Sequence, residues 1–184
     1  MTARDRERFG PIDICLNDGR SATIRPLMTS DRVALGEFYE SVPREDCRFY
    51  LPYPLTREQA VLNASRADSL TEVVVVLETP ERAIAGYAWY RWQGPDDRAS
   101  GFGIRIRRGW QEAGAGRALM SRLLEIAREV GPPVMVLTVQ KANQRAFRLY
   151  SSMGFKVVRE HMRAANPEYG FEAEPECFME HSTR

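Results

Sequence analysis

The hydrophobic and polar positions of this chain follow a strand-like pattern in its middle. Runs of β-branched and aromatic residues predict strands over residues 73–77, 84–92 and 101–106. A turn sequence, Gly-Pro-Asp-Asp at 94–97, separates the second strand from the third. The first two strands, joined by a short polar turn, are expected to form an antiparallel pair.

After residue 106 the pattern becomes helical. Apolar residues at helical spacing predict amphipathic helices over 114–130 and 142–153, with a buried strand over 134–139 between them. Two last strands are predicted over 155–158 and 177–179.

The N-terminal third predicts a hairpin, two helices and an aromatic loop. The hairpin covers residues 13–27 and turns at the sequence Asn-Asp-Gly. Helices are predicted over 32–40 and 56–66, and the proline-rich, aromatic segment 43–54 predicts a loop with a short helical turn. Early strands followed by strand-helix-strand-helix-strand predict an α/β or α+β sheet with a partly parallel centre.

Length and composition fit one domain over residues 1–184, with residues 1–20 as an N-terminal extension and hairpin strand. The chain has 184 residues, of which 43% are hydrophobic and 28% charged, as in soluble globular proteins. Because the formal net charge is only +1, electrostatic attraction to nucleic acid or to a membrane is weak. We therefore expect neither as a partner.

Apolar runs, cysteines and histidines bear on cellular location and metal binding. The longest apolar run, residues 73–77, is far too short to span a membrane, and residues 1–9 lack the apolar core of a secretory signal, which predicts a cytoplasmic location. The widely spaced cysteines predict reduced thiols, and they are Cys15, Cys47 and Cys177. His161 and His181 stand apart without further ligands, so no metal site is expected.

A glycine-rich turn carries the candidate chemistry. Residues 111–117 read Gln-Glu-Ala-Gly-Ala-Gly-Arg between a predicted strand and a predicted helix. Gly114 and Gly116 let backbone N–H groups approach an anion, and a helix start presents unpaired donors and the positive end of its dipole. The turn predicts a phosphate site, with a plain tight turn as the alternative. It lacks the signatures of a P-loop and of a dinucleotide-binding turn, since residue 119 is leucine.

A second motif, Asn-x-x-Ala-x-x-Leu-Tyr-x-x-x-Gly-Phe, follows at residues 143–155. The two motifs in this order resemble the GNAT superfamily of acetyl-CoA-dependent N-acetyltransferases, over residues 73–179. Residues 16–27 and 43–49 also resemble the acetyltransferase domain of bacterial protein-lysine acetyltransferases. The resemblance implies a mixed, mostly antiparallel sheet with splayed parallel centre strands and helices on both faces, and acetyl-CoA as cosubstrate.

The resemblance also implies roles for single residues. The pyrophosphate of coenzyme A would lie on the turn residues, which are Gln111, Glu112, Ala113, Gly114, Ala115, Gly116 and Arg117. Its pantetheine arm would lie along Ile104, Arg105 and Ile106, and would also meet Asn143 and Ala146. Asn143 is equally suited to cap a helix. Tyr150 would protonate the leaving thiolate, with a core aromatic residue as its alternative role.

The chain departs from the family at the general base. Many members carry a glutamate in the strand before the turn, where this chain reads Ser-Gly-Phe-Gly at 100–103. The alternatives are Glu45, Asp46, Glu78 or a water relay through Ser100. The departure also leaves open a non-catalytic acetyl-CoA-binding module as the function.

The acceptor would be a primary amine, either a small metabolite or amino acid, or a protein lysine or N-terminus. Aromatic residues are available to line its pocket or to pack a core: Phe49, Tyr50, Tyr53, Trp89, Tyr90 and Trp92. A competing hypothesis takes five arginines as a nucleic-acid patch, namely Arg105, Arg107, Arg108, Arg117 and Arg122. The net charge disfavours it. A homodimer is compatible with splayed sheet edges.

Overall fold

The computed structural model describes residues 1–94 and 96–184, and this part of the chain forms one eight-stranded sheet with five α-helices. The helices are α1 (Ala3–Arg8), α2 (Arg32–Glu40), α3 (Arg57–Ser65), α4 (Ala115–Ala127) and α5 (Gln144–Ser152). The strands are β1 (Ile12–Cys15), β2 (Ser21–Pro26), β3 (Glu72–Glu78), β4 (Ile84–Arg91), β5 (Ala99–Ile106), β6 (Val134–Gln140), β7 (Lys156–Arg163) and β8 (Glu174–Ser182). The turn predicted at 94–97 includes Pro95, which lies outside the described residues.

The sheet is mixed and mostly antiparallel, as predicted. Its strand order is β1-β2-β3-β4-β5-β6-β8-β7, and the parallel pair lies at the centre, between β5 and β6. The predicted N-terminal hairpin is confirmed as β1 and β2, which pair from Ile12 opposite Ile24 to Cys15 opposite Ser21.

The two central strands separate after a short parallel contact. Residues 99–101 of β5 pair with residues 134–136 of β6. Beyond that point β5 stays paired with β4 as far as Ile106, and β6 stays paired with β8 as far as Gln140. The predicted splay is therefore present, and it opens a gap in the middle of the sheet.

Helices cover both faces of the sheet, also as predicted. Successive residues of a strand point to opposite faces, so β3, which is buried along its whole length, serves two cores. On one face Val75 of β3 belongs to the core that contains Leu119 and Leu123 of α4. On the other face Val76 belongs to the core that contains Phe38 of α2. None of the helices in the described residues has the length and apolar character needed to cross a membrane.

Three elements differ from the sequence-based expectation. Helix α1 was not predicted, because none of its residues is buried and it therefore has no apolar periodicity; a capping box between Thr2 and Asp5 starts it instead. Strands β7 and β8 are longer than predicted. All of β7 is exposed or half-buried at the sheet edge, where charged residues interrupt the apolar pattern.

Candidate active site

Two adjoining clefts open where β5 and β6 separate. The first cleft, about 330 Å³, lies among the end of β5, the start of α4 and the exposed side of α5. The second cleft, about 560 Å³, lies among the aromatic loop (residues 43–54), the end of β6 and the connection from β7 to β8. The residues that line both clefts are Phe49, Tyr50, Ile104 and Tyr150. The clefts therefore meet at Tyr150.

The structure brings most of the predicted binding residues to the first cleft. They are Ile104, Arg105, Ile106, Gln111, Glu112, Gly114, Gly116, Arg117, Asn143, Ala146 and Tyr150. Ala113 and Ala115 differ, because their side chains are buried in the core beneath the turn.

The glycine-rich turn has the backbone geometry of an anion site. Gly114 is the residue before α4 and has a φ of 87°, a left-handed conformation that favours glycine. The Gln111 side-chain amide donates to the carbonyl of Ile106 at 2.9 Å and ties the turn to β5. The first bonded amide of α4 is that of Ala118, which donates to Gly114 at 3.0 Å. The amides of residues 115–117 precede it and have no acceptor within the helix, so they are available to an anion.

The loop of the N-terminal hairpin supports the glycine-rich turn. Nothing in the sequence indicated this contact. The backbone amide of Asn17 donates to the carbonyl of Ala113 at 3.0 Å, and the Arg20 guanidinium donates to the carbonyl of Gly109 at 2.9 Å. Arg20 also lies 4.2 Å over the ring of Trp110. Asn17 lines the first cleft itself. Only the folded structure brings these distant segments together.

Positive charge flanks the first cleft. Arg117 and Arg145 line it; Arg117 is oriented by a hydrogen bond of 2.8 Å to the Ser152 hydroxyl. The five arginines of the nucleic-acid hypothesis do not form one surface. Arg122, for example, is a buried residue of α4 and donates to the carbonyl of Gly10 at 2.9 Å.

Tyr150 packs in the core and also lines the clefts. Its ring is 8% exposed and packs edge-on against Phe102, with ring centroids 6.0 Å apart, and against Phe155 at 6.1 Å. The same residue lines both clefts. Burial raises the pKa of Tyr150 above its ordinary value of 10.0. The phenol is therefore protonated at neutral pH and can donate a proton or a hydrogen bond.

Asn143 likewise has both of its expected positions. Its Oδ1 accepts a hydrogen bond from the amide of Ala146 at 3.2 Å, which caps α5. Asn143 also lines the first cleft.

Two candidates for a proton acceptor lie away from the clefts. Ser100 is 1% exposed and donates to the carbonyl of Val134 at 3.3 Å, in the part of β5 that is still paired with β6. This placement gives a relay through Ser100 no support. Glu78, on β3, is held by Arg25 at 2.7 Å and by Arg82 at 2.6 Å.

Asp46 lies near the first cleft but is held by arginines. It pairs with Arg105 of β5 and with Arg108 at 2.7 Å, and Arg108 also pairs with Glu45 at 2.9 Å. The hydrogen bonds from Arg108 and Arg105 lower the pKa of Asp46 to about 2. Asp46 is therefore a poor proton acceptor near neutral pH, and its main effect is to fasten the aromatic loop to β5.

Asp46→Asn is expected to lower the free energy of unfolding by about 1 kcal/mol at pH 7, because the charge-assisted contact to Arg105 is partly shielded from water. A carboxylate whose pKa is depressed stabilises the fold above its unfolded pKa of about 3.9, and this contribution is lost as pH falls toward about 2. The difference from wild type should accordingly vanish near pH 2. Urea denaturation at several pH values measures it, with the exposed Glu37→Gln as the control; a deficit that is equal at every pH would contradict it.

The second cleft contains a carboxylate that the sequence analysis missed. Glu176 of β8 is 5% exposed and lines this cleft. In the strand register it lies between Gln140 of β6 and His161 of β7, and its Oε1 is 2.8 Å from His161 Nε2. The last strand was predicted only over 177–179, so Glu176 fell in a predicted loop. Burial along β8 does not alternate strictly, since residues 174, 176, 177 and 179 are buried, so the sequence carried no clear strand signal at this position.

The aromatic residues divide between the two roles proposed for them. Phe49, Tyr50 and Trp89 line the second cleft, where the Trp89 indole donates to the Tyr50 hydroxyl at 3.0 Å. The others pack elsewhere: Tyr53 contacts Tyr39, Tyr90 donates to the carbonyl of Val130, and Trp92 stacks on Tyr90.

The thiols and histidines form no metal site in the described part of the chain, where no group of three or more His, Cys, Asp or Glu side chains is placed to hold an ion. All three cysteines are free. His181 stacks on Phe155 with ring centroids 5.1 Å apart.

Sequence comparison identifies related proteins. The profile of the Acetyltransferase (GNAT) family matches residues 35–155, more than half of the chain. The L-amino acid N-acyltransferase MnaT of Escherichia coli (strain K12) is 30% identical over 107 residues, which are 56% of this chain and 62% of that protein. The L-methionine sulfoximine/L-methionine sulfone acetyltransferase of Salmonella typhimurium (strain LT2) is 45% identical over 47 residues, 26% of this chain and 28% of that protein. The chain thus matches less than two thirds of the length of these relatives.

Solved structures share the fold. The GNAT domain of S. lividans PAT superposes with a TM-score of 0.78 at 20% identity, covering 99% of both chains. The structure of yncA from Salmonella typhimurium with its cofactor acetyl-CoA superposes with a TM-score of 0.73 at 23% identity, covering 89% of this chain and 94% of that one.

Proposed function

Because the chain belongs to the acetyltransferase (GNAT) family, we propose that it transfers the acetyl group of acetyl-CoA to a primary amine. The observation that carries this proposal is the pair of joined clefts. The first cleft offers a helix start and arginines to an anionic cosubstrate, and the second offers a carboxylate and aromatic rings to an amine. Tyr150 lines both, at the place where the two substrates would meet.

The residues of the first cleft fit coenzyme A. The amides of residues 115–117 and the side chains of Arg117 and Arg145 suit its phosphates. The turn depends on glycine at position 114, since a Cβ there would lie 3.1 Å from the Asn17 side chain. Beyond residue 101 the edge of β5 that faces β6 is open, and an extended pantetheine arm can add there like a strand. The yncA structure with acetyl-CoA supports the same cosubstrate here.

The proposed reaction is a direct attack. The amine nitrogen forms a bond to the thioester carbonyl carbon, and the carbon–sulfur bond breaks through a tetrahedral intermediate without an acetyl-enzyme. A backbone N–H on the open edge of β5 polarises the carbonyl. Tyr150 donates its phenolic proton to the leaving thiolate, and the phenolate then takes up the proton that the attacking nitrogen loses when it becomes an amide.

The acceptor is proposed to be an amine of amino-acid size, and a protein lysine or N-terminus is the second class. Both curated relatives carry the names of amino-acid substrates or their analogues, which supports the first class. The second cleft, at about 560 Å³, has room for such a molecule.

Calorimetric titration with acetyl-CoA, followed by thiol release over a panel of amino acids, alkylamines and lysine peptides, tests this function. Saturable binding of acetyl-CoA and amine-dependent release of coenzyme A are expected. Binding without release to any amine would instead indicate the non-catalytic acetyl-CoA-binding module. If acetyl-CoA does not bind, the first cleft is not a coenzyme A site and the proposal is wrong.

A further inference from the structure

We propose that Glu176, oriented by His161, binds the ammonium group of the acceptor and removes its proton. This inference rests on the proposed function, which needs a neutral amine as the attacking group. The strand position where the family often carries a glutamate holds no carboxylate in this chain, since residues 100–103 read Ser-Gly-Phe-Gly. The proton acceptor must therefore come from another element.

Glu176 lies where an acceptor would bind. It is 5% exposed and lines the second cleft together with Tyr150, the residue proposed to act on the thiolate. The partner on one side is Gln140 of β6, also buried, and on the other side His161 of β7. Neighbours directly across two strands hold the Glu176 side chain on the cleft face of the sheet.

The other acidic groups near the clefts are committed to arginines. Glu174, two residues earlier on the same strand, is bound by Arg48 at 2.7 Å and by Arg163 at 2.6 Å. Asp46 is bound by two arginines, as described above. Glu112, which lines the first cleft, has a side chain that is 80% exposed. Among the described residues, Glu176 is thus the buried carboxylate in the clefts that pairs with a histidine and not with an arginine.

This difference matters for proton transfer. An arginine keeps its proton at any physiological pH, so its positive charge always compensates the negative charge of a carboxylate paired with it. An imidazole can exist as the neutral form, in which case Glu176 retains a negative charge for a cationic amine. A buried carboxylate is costly without a charged partner, and a bound ammonium ion supplies one.

The proposed step transfers one proton from the bound ammonium to Glu176. An N–H bond of the bound ammonium breaks and an O–H bond forms on Glu176, which leaves the electron pair on nitrogen for attack on the thioester. Glu176 returns the proton to solvent through the open second cleft once the product has left, and His161 Nε2, 2.8 Å from Oε1, orients the carboxylate.

The other titratable groups around the second cleft leave Glu176 as its proton acceptor. The titratable and charged groups facing Glu176 are Cys47, Arg48 and Tyr50 of the aromatic loop, Tyr150 of α5, His161 and Arg163 of β7, and Glu174 of β8. Burial raises the pKa of Cys47 and of Tyr150, which are therefore neutral near pH 7. Arg48 and Arg163 remain charged and paired with Glu174.

Glu176→Gln tests the assignment, because the amide keeps the size of the side chain and cannot accept the proton. At pH 7 we expect kcat/KM for the amine to fall about 10²-fold, with the dissociation constant of acetyl-CoA unchanged. The deficit should shrink as pH rises past the pKa of the amine, about 8 for an α-amino group and about 10.4 for a lysine side chain, because the amine then arrives neutral. His161→Gln should lower kcat/KM for the amine by a smaller factor, and this loss should also shrink as pH rises. Glu180→Gln, an exposed position on the same strand, is the control and should match wild type.

The outcomes separate this inference from the proposed function. If wild type acetylates an amine and folded Glu176→Gln keeps its full rate at pH 7, Glu176 has no role in proton removal. If the loss is the same at every pH, the side chain orders the cleft and is not the acceptor of the proton. If wild type binds acetyl-CoA and acetylates no amine, both proposals fail at the transfer step; if it binds no acetyl-CoA, the proposed function fails before Glu176 is involved. Thermal melting curves of each variant establish that it is folded.

Discussion

Tyr150→Phe is expected to lower kcat for amine acetylation by about 10³-fold while leaving the affinity for acetyl-CoA unchanged. The substitution removes one hydroxyl and keeps the ring that packs against Phe102 and Phe155. Without the phenol, the thiolate must leave without a proton or take one from water. The loss is in kcat because the proton is needed after both substrates are bound.

Steady-state kinetics and calorimetry on the same preparation measure the two quantities. Tyr53→Phe is a matched control, because Tyr53 is a tyrosine of the aromatic loop whose hydroxyl contacts Tyr39 and which belongs to the opposite core. That variant should bind and turn over like wild type. A Tyr150→Phe enzyme that keeps its kcat within about threefold would overturn the general-acid role, since proton transfer by a positioned side chain contributes about 10²-fold or more.

Local signals explain why so much of the fold could be predicted. Strands β3 and β4 are fully or almost fully buried and carry β-branched and aromatic runs, and α4 buries an apolar stripe, so the periods in the sequence match those in the structure. The geometry of the glycine-rich turn was predictable for a related reason. Its glycines and the helix start are consecutive in the sequence, so the feature needs no distant partner. Helix α1 lacks a buried face and so gave no signal.

Features that depend on distant contacts were not predictable. The sequence shows where each carboxylate lies along the chain but not which side chain it pairs with. Asp46 therefore remained a candidate base until the structure placed it against Arg105 and Arg108. Ser100 remained a candidate because the length of the parallel contact between β5 and β6 is a tertiary property; the contact extends past Ser100 and closes that position. Glu176 and His161 become neighbours only through strand pairing.

Gly114→Glu is expected to weaken acetyl-CoA binding by at least about 10³-fold, through three effects that add. A φ of 87° costs a residue with a Cβ about 1–2 kcal/mol. The added Cβ would lie 3.1 Å from the Asn17 side chain, so the hairpin loop must move away from the turn it supports. The new carboxylate would also repel a phosphate at the start of α4, where an anion is otherwise favoured.

Comparison with two milder variants separates these effects. Gly114→Ala adds the strain and the contact with Asn17 without the charge, and should weaken binding by about tenfold, since 1.4 kcal/mol corresponds to that factor. Gly109→Ala, in the same connection, adds a Cβ with no atom within 4 Å and should bind like wild type. Calorimetric titration of the three folded variants with acetyl-CoA measures the series. Equal affinities would mean that the turn only joins β5 to α4, whereas a graded loss that is largest for glutamate would assign the anion to the start of that helix.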